Sequence, residues 1–75
     1  WNDIMKCIDI ACFVGKQGHR FSQIYTMEEE KDSFIVDYFD DDKYIGSLFY
    51  RTQERAEECA QSFAFKGLFD GEGSV

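Results

Sequence analysis

Residues 34–39, Phe-Ile-Val-Asp-Tyr-Phe, carry a large apolar or aromatic side chain at every position but one. With the two-residue period of a strand, Phe34, Val36 and Tyr38 share one face, and Ile35, Asp37 and Phe39 share the other. A strand that is apolar on both faces needs cover on both. In a chain of 75 residues there is little to supply it.

The neighbouring segments read in the same way. Residues 19–26 alternate as a strand, with Phe21, Gln23 and Tyr25 set against Ser22 and Ile24. Residues 44–50 return as another, with Tyr44, Leu48 and Tyr50 opposite Ile45 and Phe49. Between the first pair lies a charged loop, residues 27–33, and between the second a turn at Asp40-Asp41-Asp42, a residue type tolerant of turn conformations. Residues 4–14 allow two readings. As a strand, Ile8, Ile10, Cys12 and Val14 face one way, with Cys7, Ala11 and Phe13 facing the other; as a helix, Ile4, Ile8, Ala11 and Cys12 share a side and Gly15 caps its end. The β-branched content and the Gly-containing loop after Val14 favour the strand.

One helix follows. Thr52 suits the N-cap and Glu54 the first turn. Ala56, Cys59, Ala60, Phe63 and Ala64 form one helical face, and Gly67 supplies the stop, so the helix is expected from about Thr52 to Lys66. The expected fold is an α+β domain over residues 1–69: a four-stranded antiparallel meander with the C-terminal helix packed on one face. An N-terminal helix followed by three strands and the C-terminal helix is the alternative. Residues 70–75 read as a flexible, glycine-rich tail.

With one helix and four two-sided strands, eight Phe, four Tyr and one Trp exceed what a single core layer buries. Part of one sheet face is therefore expected to be exposed or covered by a partner. Tyr25, Tyr38, Tyr44 and Tyr50 are the expected interface aromatics, because tyrosine tolerates partial exposure.

Charge is concentrated. The net charge is −7. Residues 28–58 contain Glu28, Glu29, Glu30, Asp32, Asp37, Asp40, Asp41, Asp42, Glu54, Glu57 and Glu58, but only Lys31, Lys43, Arg51 and Arg55. That segment alone accounts for the whole imbalance. Direct binding to nucleic acid is thereby disfavoured, and attraction to a basic protein favoured. Glu28, Glu29, Glu30, Asp37, Asp40, Asp41 and Asp42 are the expected polar contacts, with Tyr38 and Tyr44 beside them, and acids spaced along strand and loops would imitate a phosphate backbone.

Catalytic candidates are few. His19 is the one histidine, with no local nucleophile pattern, and an enzyme built on His19 or Cys59 ranks below a binding protein. Cys7, Cys12 and Cys59 form no metal-ligand spacing and no paired framework, so they read as reduced, structural thiols in a cytoplasmic protein. The acid runs lack the alternation and glycine of a calcium loop. Neither a cofactor nor a metal is expected, and no apolar run approaches the roughly 18 residues of a membrane span.

In size, acidity, aromatic surplus and sheet-plus-helix plan, the chain resembles the small acidic inhibitors used by phages and mobile elements, of anti-CRISPR and anti-restriction type. The resemblance implies a non-enzymatic inhibitor occupying a basic, nucleic-acid-binding surface of a host defence complex. Residues 34–65, strand–strand–helix, are also similar in plan to the antitoxins that pair with small RNA-cleaving toxins, without their aromatic-Pro-Asp signature. That implies the second reading, a small interaction module that dimerises through its exposed sheet face.

Overall fold

In the computed structural model, which describes residues 6–16 and 18–67, four strands follow one another in order: β1 (Cys7–Val14), β2 (Arg20–Met27), β3 (Glu30–Asp40) and β4 (Lys43–Tyr50). They form a single antiparallel sheet of order β1-β2-β3-β4. Helix α1 (Gln53–Gln61) then crosses one face and continues into a π-helical turn, Ser62–Lys66. This is the α+β meander with its C-terminal helix, and residues 7–14 are strand rather than helix. The expected tail, residues 70–75, lies outside the described residues.

The register sorts the side chains into cross-strand rows. On the helix side run Phe13–Ser22–Tyr38–Gly46, Ala11–Ile24–Val36–Leu48 and Ile8–Thr26–Phe34–Tyr50. Ile24, Val36, Tyr38 and Tyr50 are buried there against Ala56, Cys59, Ala60 and Phe63. The helical face expected from spacing is the one that packs. Its small residues let the helix lie close, and the Ser22 hydroxyl donates to the Ala60 carbonyl at 3.0 Å. Phe63 is the large anchor, edge-on to Tyr38 at 5.0 Å between ring centroids.

Thr52 caps the helix, its side chain accepting from the Arg55 amide at 3.1 Å. Gly67 ends it in the left-handed conformation (φ 74°) with its amide bonded back to the helix. The last turn is wider than expected: residues 62–66 are π-helical, with Phe63 and Ala64 buried.

Three irregularities were not visible in the alternation. A bulge between Asp9 and Ala11 puts Ile8 on the helix side with Ala11 and Phe13, while Cys12 and Val14 turn to the opposite face. A second, opposite Tyr38 and Phe39, puts Tyr44 on the face opposite Leu48 and Tyr50. The third lies in the expected loop of residues 27–33, which is mostly strand: β3 begins at Glu30 and a bulge takes up residues 31–33. The Thr26 hydroxyl fastens it, lying 3.0 and 2.8 Å from the Glu30 and Ser33 carbonyls. At the other end Asp41 and Asp42 both adopt positive φ (58° and 68°), the pattern of a two-residue type I′ hairpin.

Candidate functional site: the open face of the sheet

No element among the described residues covers the second face of the sheet. It too is organised in rows. Val14–Phe21–Phe39–Tyr44 forms an apolar row across all four strands, and Asp9–Tyr25–Ile35–Phe49 forms a second, apolar apart from its edge. Between them lies a polar row, Cys12–Gln23–Asp37–Ser47. Phe21 and Phe39 stack in parallel at 4.4 Å, and Phe39 meets Tyr44 edge-on at 5.6 Å. Tyr44 and Phe49 remain 60% and 66% exposed, so the rings are presented rather than packed away.

The polar row is a connected network. Ser47 donates to Asp37 Oδ1 at 2.5 Å, and the hydroxyls of Tyr44 and Ser47 lie 2.5 Å apart. Gln23 donates to Asp9 at 3.5 Å. Tyr25 lies in the neighbouring row; partial burial, followed by the nearby Asp37 carboxylate, raises its pKa above the usual value. No Lys or Arg occupies a position in the three rows. The face is aromatic with a carboxylate near its middle.

The sequence-derived contacts are dispersed by the fold. Asp37 and Tyr44 come together on the open face. Tyr38, 1% exposed, lies in the core on the other side, as does Tyr50, and neither is available to a partner in the folded protein. The reason is parity: Tyr38 shares the face of Val36, where α1 lies. Glu28, Glu29 and Glu30 are exposed at the β2–β3 end, and Asp41 and Asp42 at the opposite end. The register places the two groups seven steps apart along β2, roughly 23 Å at about 3.3 Å per residue.

Asp40 stands across from Arg20 and Lys43 in the strand register, His19 lies 4.0 Å from Asp41, and Lys16 lines a depression with His19 and Arg20. That end is therefore close to neutral. At the other end, Glu28, Glu29, Glu30 and Asp32 outnumber Lys31 and Lys6, whose carbonyl receives the Glu28 amide. Glu54, Glu57 and Glu58 belong to the helix layer, where Arg55 pairs with Glu58 at 3.0 Å and Gln53 bonds Glu57. The acids form one acidic pole and scattered pairs instead of a continuous track.

Phe21, Phe39 and Phe49 were not singled out by sequence, although alternation already put Phe39 beside Asp37 and Phe21 beside Gln23. Missing was the pairing register, which aligns them into rows. Cys7 and Cys12, read as structural thiols, are exposed: the β1 bulge brings both to the uncovered side, where plain alternation puts them on opposite faces; Cys59 is buried. His19 has a largely exposed side chain. No group of three His, Cys, Asp or Glu among the described residues could hold a metal ion, and no described helix is long and apolar enough to cross a membrane.

Fold and site together define a two-layer sheet-and-helix domain with one aromatic sheet face presented outward. No family model matches the chain, and no curated protein or solved structure is significantly similar to it.

Proposed function

We propose that the protein is a non-enzymatic docking module that binds a basic protein through the open sheet face and, by occupying that partner's cationic surface, excludes nucleic acid from it. The observation that carries this reading is an aromatic sheet face without a lysine or arginine, left uncovered by the one helix. Four strands about 4.8 Å apart and eight residues long offer a footprint of roughly 500 Å². That area, polar row included, suits a modest protein interface. Both edge strands carry bulges, which discourage pairing edge to edge, so the face is the surface left for docking. The acidic pole at Glu28–Glu30 adds long-range attraction, felt mainly in association rate.

A second copy is a poor occupant. Stacking two such faces about a two-fold axis brings Asp37 toward its own copy in an apolar interface, where uncompensated carboxylates are costly. A basic partner meets the same carboxylate favourably.

The test is competition. A captured partner that binds nucleic acid should lose it to the parent protein but not to Tyr44→Ala or Phe49→Ala, which alter exposed rings and leave the core untouched. Charge reversal at Glu28, Glu29 and Glu30 should slow association and flatten its salt dependence. Undiminished binding by both ring variants would remove the open face as the docking surface.

A further inference from the structure

Asp37 has no evident structural task. It stands on the uncovered face, flanked along β3 by Ile35 and Phe39 and across the sheet by Gln23 and Ser47. Its hydrogen-bond partner, the Ser47 hydroxyl, is a neutral donor. That bond orients the carboxylate and leaves its charge uncompensated. The ion pairs among the described residues lie elsewhere, His19 with Asp41 and Arg55 with Glu58. In the free protein water supplies the missing solvation. Once a partner covers the face that water is lost, and a carboxylate between two apolar rows becomes expensive unless a cation arrives with the partner.

The surroundings narrow the choice of cation. The stacked Phe21–Phe39 pair stands one register step, about 6.6 Å, along the strands from Asp37, with the Tyr44 ring against Phe39. A planar guanidinium fits both demands: it donates in a fixed fork to a carboxylate and packs on aromatic rings while weakly hydrated. An ammonium keeps its water more tightly and fits the ring edges less well.

We propose that Asp37, held by Ser47 and bordered by Phe39 and Tyr44, is a seat for one arginine side chain of the bound protein, the contact that sets which basic partner is accepted. This rests on the docking reading and deepens it.

The probe is acetyl-Leu-Arg-Leu-amide, whose leucines suit the apolar rows, compared with the same peptide carrying citrulline, which has nearly the same shape and no charge. Backbone amide shifts of the isotope-labelled protein report where each peptide binds. The arginine peptide should move the amides of residues 23, 37 and 47, with the citrulline peptide binding about tenfold more weakly. Asp37→Asn should lose about the same factor toward the arginine peptide while keeping a dispersed, folded spectrum. Should that variant fail to fold, the two-peptide comparison on the parent protein decides alone. Equal binding of both peptides at the face would overturn the arginine seat and leave the docking face standing. Shifts confined to residues 28–32 would overturn the seat in favour of nonspecific attraction to the acidic pole. If neither peptide moved any amide of the face, the docking reading would fall with it.

Discussion

The hydroxyls of Tyr38 and Tyr50 meet at 2.6 Å inside the core, although Tyr38 stands across from Gly46 and Tyr50 across from Phe34, at separate positions along the β3–β4 pairing. The two rings lean toward each other beneath the helix, in the core cluster that also holds Cys59. Two polar tips thus satisfy each other where an apolar core would otherwise leave them stranded.

This pairing predicts an alkaline limit. Burial, then the bond to Tyr38, raises the Tyr50 pKa far above the ordinary value of 10. A phenol whose folded pKa exceeds its unfolded one contributes stability that is complete below about pH 10 and declines as pH rises above it toward the folded value. Tyr25 acts in the same direction. Urea midpoints measured from pH 8 to 12 should fall steeply above about pH 10 for the parent, and less steeply for Tyr50→Phe. At neutral pH that variant should lose about 1–3 kcal/mol, because the buried Tyr38 hydroxyl loses this partner.

Phe63 is 3% exposed and packs edge-on against Tyr38. Truncation to alanine should cost roughly 3–5 kcal/mol, much of what so small a domain possesses. Chemical denaturation would show it, and an unchanged midpoint would contradict the packing described.

Gly15 faces a different constraint. A Cβ there would lie 2.3 Å from the Ala64 carbonyl oxygen and 3.3 Å from that of Arg20, both backbone atoms. The β1–β2 turn can lie against the π-helical turn because glycine allows it. Gly15→Ala should therefore destabilise by about 1–3 kcal/mol through overpacking. Gly18→Ala, at φ 74° but with open space around it, should lose about 1 kcal/mol through backbone conformation alone. Similar melting temperatures for Gly15→Ala and the parent would refute the close approach.

The thiols separate by position. Cys7 and Cys12 are exposed and Cys59 is 2% exposed in the core. A disulfide-exchange reagent should label two thiols of the native protein quickly and the third only on unfolding, at a rate that tracks global opening. Fast native labelling of all three would mean that the helix does not cover the sheet. A bound partner should slow Cys12, which stands in the polar row, more than it slows Cys59.

What the chain determined alone is local. Alternation assigned Phe34, Val36 and Tyr38 to one face, and Ile35, Asp37 and Phe39 to the other. Helical spacing selected Ala56, Cys59, Ala60, Phe63 and Ala64, and both helix caps were legible because capping is a short-range interaction between neighbours. The excess of aromatics over available cover announced an uncovered face. Which face it would be, and therefore whether Tyr38 or Phe39 meets a partner, depended on where the helix landed, a contact between residues far apart in sequence. The bulges at Asp9–Ala11 and opposite Tyr38–Phe39 were illegible for a related reason. One extra residue reverses every side chain beyond it, and nothing in a single strand says where its neighbour requires the insertion. Charge followed the same rule: the acids of residues 28–58 are contiguous in sequence. Folding placed Lys16, Arg20 and Lys43 near Asp40–Asp42, and left the acidic pole at the β2–β3 end.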